Sequence, residues 1–103
     1  MRAAESTPVA REISERAFQA VVVEYAQRLG YLVFHDYDSR RSTPGFPDLV
    51  MVKEGRLVVA ELKRETGRTK PEQAEWLRLL RSAGVEAHIW RPSQWDAIES
   101  VLA

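Results

Sequence analysis

The chain has 103 residues, 45% of them hydrophobic, and its 15 basic and 15 acidic residues give a formal net charge of zero. This length supports one domain with its own core, and the absence of cysteine excludes a disulfide scaffold, thiolate zinc sites and a cysteine nucleophile. No apolar run is long enough to cross a bilayer and no signal peptide is present, so we expect a cytoplasmic protein without a membrane segment.

The N-terminal third predicts a flexible segment followed by one long helix. We expect residues 1–10 to be flexible, with Pro8 suited to a first helical turn, and residues 11–103 to form a single domain. Over residues 11–29, apolar side chains recur at helical spacing, and Gly30 is a favourable stop.

Three predicted strands follow this helix. Residues 31–37 predict the first, and residues 38–47 form a long polar loop. Two further β-rich runs, residues 48–53 and 56–63, are separated by Glu54-Gly55, a two-residue hairpin signal. Both runs are apolar on both of their faces, which predicts central strands covered by helices on each side.

The hairpin predicts a pair of opposed carboxylates at its far end. If the turn is tight, Lys53 faces Arg56, and the constant sum of paired positions makes Asp48 face Glu61. Like charges so placed repel, and a hard divalent cation such as Mg²⁺ would compensate them. Lys63 emerges on the same face as Glu61, so the three groups predict a metal-dependent phosphodiester nuclease. The alternative is a solvated strand end without chemistry.

The remainder predicts a β-α-β unit and a terminal helix. Residues 71–83 form a helix with Thr69 and Glu72 as its capping box, and residues 85–91 form the fourth strand. Ser93 and Asp96 cap a last helix that runs to Leu102. The order α-β-β-β-α-β-α predicts an α/β fold: a mixed four-stranded sheet flanked by helices, with an antiparallel meander and a parallel last strand.

Basic residues surround the opposed carboxylates. Residues 35–70 carry eight basic and six acidic residues, whereas residues 71–103 carry three basic and five acidic ones. We predict that the basic residues of the two loops contact DNA phosphates, although such runs are often only solvated. These residues are Arg40, Arg41, Arg64, Arg68 and Lys70.

Taken together, these motifs resemble a known nuclease family. They are Glu15 with Gln19 on the first helix, Gly45-Phe46-Pro47-Asp48, Glu61-Leu62-Lys63, and Gln73 at the start of the second helix. Their types and spacing resemble the restriction-endonuclease-like superfamily, and within it the virus-type replication-repair nuclease (VRR-NUC) family. The resemblance covers residues 12–102, nearly the whole domain.

The resemblance implies a restriction-endonuclease-like core, dependence on Mg²⁺ or Mn²⁺, and cleavage of DNA. It further implies a homodimer acting on branched DNA such as four-way junctions. Carried over residue by residue, Asp48 and Glu61 are metal ligands assisted by the backbone carbonyl of Leu62, and Lys63 positions or activates the attacking water. Glu15 would support the metal through water, and Gln73 would touch phosphate or metal-bound water.

Some assignments stay open from the sequence. Glu24 is a second candidate for the helix glutamate, although Glu15 has the i, i+4 glutamine partner. His35 and His88 are predicted to be packed or hydrogen-bonded in strands rather than metal ligands. A noncatalytic module that binds branched DNA is an alternative of a different class, and a general or flap-directed nuclease is an alternative within the enzyme class.

Overall fold

A computed structural model describes residues 10–35 and 43–103. Its elements are α1 (Glu15–Arg28), β1 (Leu32–His35), β2 (Leu49–Lys53), β3 (Arg56–Leu62), α2 (Pro71–Ser82), β4 (Glu86–Trp90), a 3₁₀ turn (Pro92–Gln94) and α3 (Trp95–Leu102). The predicted element order is confirmed. The predicted flexibility of residues 1–9, the loop residues 36–42, and with them Arg40 and Arg41, lie outside the described residues.

The described strands form one mixed sheet in the order β1-β2-β3-β4. β1, β2 and β3 pair antiparallel and β4 runs parallel to β3, as predicted. Lys53 faces Arg56 across the Glu54-Gly55 turn, where Gly55 has a φ of 75° that favours glycine. The register then continues unbroken to Leu49 opposite Ala60, so Asp48 and Glu61 are the next pair of positions along the hairpin.

The hydrophobic core lies on one face of this sheet, beneath α1 and α3. The N-cap of α1 is Ser14, whose hydroxyl accepts from the Ala17 N–H at 3.1 Å. The helix packs one apolar stripe against β1 and β3, and α3 contributes to the same core. The core residues are Phe18, Val22, Ala26, Tyr31, Leu49, Met51, Val58, Ala60, Leu62, Trp90, Trp95, Ile98 and Leu102.

The opposite face is covered over only half of its width. α2 packs against β4, and Val59 and Ala87 are buried as register partners on this side. Apolar side chains of β1, β2 and the start of β3 stay exposed on the same face; they are Leu32, Phe34, Val52 and Leu57. The predicted cover of helices on both faces of the hairpin is therefore wrong for this half. One helix about 10 Å across cannot cover four strands spaced nearly 5 Å apart.

The helix α2 begins at Pro71 as predicted, but its capping differs. Its N-cap is Lys70 rather than Thr69, and Pro71 is the first helical residue. Proline suits that position because it has no N–H to leave unsatisfied. Gln73 therefore takes the place expected for Glu72: its Oε1 accepts from the Lys70 N–H at 2.8 Å.

Candidate active site

The far end of the β2–β3 hairpin brings Asp48 and Glu61 together. Asp48 precedes β2, and its Oδ2 accepts from the Leu62 backbone N–H at 2.8 Å. This bond fixes the carboxylate of Asp48 against the strand that carries Glu61. Burial of Glu61 raises its pKa, and the negative charge of Asp48 is the next largest cause, so the two carboxylates interact.

The environment of Glu61 is asymmetric. The side chain is 2% exposed. Its Oε2 accepts from Gln73 Nε2 at 2.8 Å and lies 3.5 Å from Lys63 Nζ. Its Oε1 is also buried but has no hydrogen-bond partner among residues 10–35 and 43–103. Because a buried oxygen without a partner is costly, this atom marks a place where a cation or polar group belongs.

Gln73 is oriented by the helix that it begins. Because its Oε1 accepts from the Lys70 N–H, only its NH₂ group can face Glu61. The amide thus donates to Oε2 and directs the carboxylate so that Oε1 faces away from both donors. We predicted a contact of Gln73 with phosphate or bound water; its contact in this structure is with Glu61 itself.

The charge state of Glu61 depends on the surrounding cluster. Burial and Asp48 together raise its pKa to about 7, and Lys63 partly offsets this by favouring the charged form. Lys63 is itself only 7% exposed, so its ammonium faces the carboxylate in a poorly solvated place. The cluster is a like-charge pair with one lysine, and it gains from a second cation.

Glu15, in the first turn of α1, belongs to the same neighbourhood. Partial burial raises its pKa and Asp48 adds to the rise, while Lys63, Arg64 and Lys70 lower it. Glu24, the other candidate on this helix, is exposed and pairs with Arg28 at 3.4 Å. The structure therefore brings Glu15, and not Glu24, to the carboxylates.

The donor set suits a hard divalent cation. In the described ranges, no three His, Cys, Asp or Glu side chains converge as a complete cage for a metal ion. Mg²⁺ does not require one, because it takes one or two carboxylates and completes its shell with water and phosphate oxygens. The partnerless Oε1 of Glu61, with Asp48 opposite, fits that requirement, and the Leu62 carbonyl lies between Glu61 and Lys63 in the chain.

Gly45 and Phe46 hold the segment before Asp48 against α2. Phe46 packs edge-to-face on Trp76 with ring centroids 5.1 Å apart, and Trp76 Nε1 donates to the Pro44 carbonyl at 3.2 Å. A Cβ on Gly45 would come within 2.6 Å of the Glu72 backbone, and Gly45 has a φ of 88°. The motif before Asp48 thus fixes the distance between the hairpin and the start of α2.

We expect Gly45→Ala to lower stability by roughly 1–3 kcal/mol and to weaken cleavage, because the left-handed backbone and the Glu72 contact both oppose a side chain. The matched control is Gly55→Ala, which has a φ of 75° and no atom within 4 Å of its Cβ position. Gly55→Ala should therefore show only the loss of stability caused by the left-handed backbone, without a steric contact. Urea unfolding and cleavage rates of the two variants separate the effects; equal losses in both would contradict this role for Gly45.

Three of the basic residues predicted to contact DNA lie on the loop between β3 and α2. Arg64, Arg68 and Lys70 are exposed, and Arg64 and Lys70 are close enough to Glu15 to lower its pKa.

Gln19, one turn beyond Glu15, lies with its Nε2 3.2 Å from His35 Nδ1 at the end of β1. His88 stacks on Trp90 and burial lowers its pKa, so both histidines are packed or hydrogen-bonded as predicted.

Sequence reasoning missed two contributors to the site's framework. Trp76 is half-buried, and its indole N–H donates to the Pro44 carbonyl. Its aromatic partner, Phe46, lies inside the Gly-Phe-Pro-Asp motif, which is a signal that could have linked them. Arg91 contacts the loop after Lys63 through backbone carbonyls, a contact that carries no signature in the sequence.

A mixed sheet with two carboxylates and a lysine at one end of its central hairpin is the arrangement of the restriction-endonuclease-like class. A sequence model of the VRR-NUC domain matches residues 3–94. The chain therefore belongs to the VRR-NUC domain family, a family of nuclease domains.

Solved structures agree with this assignment. One described as a VRR_NUC domain is 26% identical, with a TM-score of 0.70 over 84% of this chain and 95% of that chain. Another, described as a VRR_NUC domain protein, is 19% identical with a TM-score of 0.70 over 87% and 86% of the two chains, and it supports the fold alone. No protein of curated function matches the sequence. Within the described part of the chain, no helix has the length and apolar character needed to span a membrane.

Proposed function

We propose that this chain is a divalent-metal-dependent deoxyribonuclease that hydrolyses phosphodiester bonds at the Asp48–Glu61–Lys63 site. The observation that carries the proposal is the buried Glu61 carboxylate, with one oxygen bound by Gln73 and Lys63 and the other without a partner. Asp48 and Glu61, with the Leu62 carbonyl, would hold Mg²⁺ or Mn²⁺. When bound, such an ion supplies Lewis acidity and lowers the pKa of water.

The chain's own residues would provide positioning and charge. Lys63 donates toward the attacking water and offsets negative charge that develops on the phosphate. Gln73 keeps Glu61 in one orientation, and the Leu62 N–H does the same for Asp48. Glu15, whose carboxylate feels the charge of Asp48, would support the metal through water. Arg64, Arg68 and Lys70, together with Arg40 and Arg41, would contact neighbouring phosphates without reading the base sequence.

We further propose that the active form is an intracellular homodimer that prefers branched DNA. A two-fold dimer presents two equivalent sites, which suits a symmetric four-way junction. The exposed apolar side chains of Leu32, Phe34, Val52 and Leu57 support association through this half of the sheet, since such patches mark contact surfaces. Sedimentation at micromolar concentration should give twice the mass of the chain, and a monomer would contradict this part.

A gel assay tests the proposed activity. Four-way junction, flap, single strand and plain duplex are each incubated with Mg²⁺, Mn²⁺ or EDTA. We expect cleavage with either metal, none with EDTA, and the highest rate on the junction. No cleavage of any substrate under any metal, with DNA binding intact, would favour a noncatalytic binding module. Equal rates on all substrates would favour a general nuclease.

A further inference from the structure

One arginine outside the proposed catalytic residues holds the loop that follows Lys63. Arg91 Nη1 donates to the carbonyl oxygens of Arg64, Glu65 and Gly67, at 2.8, 3.3 and 2.7 Å. This nitrogen has two N–H groups for three acceptors, so one N–H is shared and the longest contact, to Glu65, is the shared one. A single guanidinium nitrogen thus gathers three backbone carbonyls of one loop.

Arg91 is held in place by its own surroundings. Its backbone N–H donates to Gln94 Oε1 at 2.8 Å in the turn that follows β4. The preceding residue, Trp90, accepts from the Lys63 N–H at 3.0 Å. Glu65 adds a second tie from the loop, because its Oε1 accepts from the Ser93 N–H at 3.0 Å. Arg91 is therefore anchored by hydrogen bonds at the junction between β4 and the following 3₁₀ turn.

The loop that Arg91 holds connects Lys63 and Gln73, the two donors to Glu61. Lys63 stands immediately before the loop and Gln73 lies in the first turn of the helix after it, and both reach Glu61 Oε2. Between them, Gly67 N–H bonds the Arg64 carbonyl at 3.1 Å, which closes the loop on itself. The course of residues 64–67 thus helps to set how far apart the two donors stand.

Electrostatics explains why a cation is needed at this point. Carbonyl oxygens that converge on one place repel one another, and a charged donor among them makes stronger hydrogen bonds than a neutral one. Without the guanidinium, the carbonyls of Arg64 and Gly67 would turn toward water and the loop would open. The exposed Arg64 side chain would then lose its fixed origin beside Glu15.

We propose that Arg91 is a positioning residue of the nuclease site, which it orders by clamping the backbone of residues 64–67. The proposal rests on the proposed function for its effect on cleavage, but the clamp itself can be measured without it. Arg91 acts through the loop and not on the substrate. Its loss should lower kcat far more than it weakens the affinity for DNA, whereas loss of a phosphate contact would do the reverse.

The experiment compares Arg91→Ala and Arg91→Lys with Arg81→Ala in the full chain. Arg81 is the matched control because it too donates to a backbone carbonyl. Its Nε donates to the Ala87 carbonyl in β4 at 2.8 Å, away from the loop that Arg91 holds. For Arg91→Ala we expect a loss of about 10- to 100-fold in kcat, the scale of an ångström-sized misplacement. Millimolar guanidinium should restore part of the activity, with equal NaCl as the ionic control. Arg91→Lys keeps the charge at shorter reach and should fall between.

Two further readouts do not require cleavage. Hydrogen exchange at the Gly67 amide should be at least tenfold faster in Arg91→Ala than in wild type or Arg81→Ala. The affinity for Mn²⁺, titrated alone, should weaken as the donors to Glu61 move. If wild type does not cut DNA, the proposed function fails, while these two measurements still decide the clamp.

The outcomes that overturn the proposal are distinct from that failure. Unchanged Gly67 exchange and unchanged Mn²⁺ affinity in Arg91→Ala would show that the loop holds itself. Weaker DNA binding at unchanged kcat would assign Arg91 to phosphate contact. If the alanine variant does not fold, Arg91→Lys decides on the same readouts, and wild-type exchange and kcat in that variant would also refute the clamp.

Discussion

Replacing Glu61 with glutamine is expected to remove metal-dependent cleavage while making the metal-free protein more stable. The amide is nearly the same shape, and its oxygen can accept from Gln73 and Lys63 in place of Oε2. Its NH₂ group then stands where Oε1 stood and cannot bind a cation. We expect a fall in cleavage rate of roughly 10²–10³-fold or more.

The gain in stability follows from the raised pKa of Glu61, about 7 in the fold against 4.5 in the unfolded chain. Between these values the folded state holds a proton that the unfolded state has released. The free energy of unfolding of wild type therefore falls as pH rises through this window, and it levels off above pH 7. Glu61→Gln lacks this loss, so its advantage over wild type should grow to roughly 1–3 kcal/mol by pH 8.

Urea unfolding in EDTA at pH 5 and pH 8 measures this difference. Glu54→Gln, at the exposed hairpin turn, is the control because it removes one negative charge without touching the site. We expect the Glu54 variant to follow wild type at both pH values. A Glu61→Gln protein that is less stable than wild type at pH 8 would show that the carboxylate pair is not under repulsion.

Lys63→Met is expected to have the second large effect. Cleavage should fall by roughly 10²–10⁴-fold, because Lys63 is proposed to position or activate the attacking water. In the described part of the chain, its ammonium beside Glu61 is the only buried cation. Binding to DNA should be retained, since the exposed arginines and Lys70 remain. A variant that cuts at the wild-type rate would remove Lys63 from the mechanism.

The same substitution leaves the Glu61 carboxylate without the Lys63 ammonium. At pH 8 this should lower the free energy of unfolding by up to about 3–5 kcal/mol. The double variant Glu61→Gln/Lys63→Met removes both charges and should recover most of that stability. The two changes are thus expected to be strongly non-additive. An additive double-mutant cycle, measured by urea unfolding in EDTA, would mean that the 3.5 Å pair contributes no coupling.

The register of the β2–β3 hairpin followed from the sequence because local rules determine it. A two-residue turn fixes Lys53 opposite Arg56, and strand alternation carries that register to Asp48 and Glu61. Gln73 was singled out through the family resemblance, as the glutamine at the start of the second long helix. The family and the fold were confirmed; the roles of the site residues stay predictions that the experiments above test.

Features that depend on tertiary packing were not readable in the same way. Residues such as Phe34 and Val52 have the apolar character of covered positions, yet α2 lies over β4 and leaves them exposed. The Arg91 clamp joins a side chain to carbonyls more than 20 residues away, and backbone acceptors leave no trace in residue identity. The N-cap of α2 is Lys70 and not Thr69, because Pro71 takes the first helical position.

Calorimetric titration of Mn²⁺ into the purified wild-type chain and Glu61→Gln tests the central claim most directly. The claim is that the partnerless oxygen of Glu61, opposite Asp48, is a cation ligand. We predict saturable binding to wild type that weakens as pH falls below 7, and its loss in the glutamine variant. No uptake of Mn²⁺ by wild type, or the same uptake by both proteins, would contradict the account.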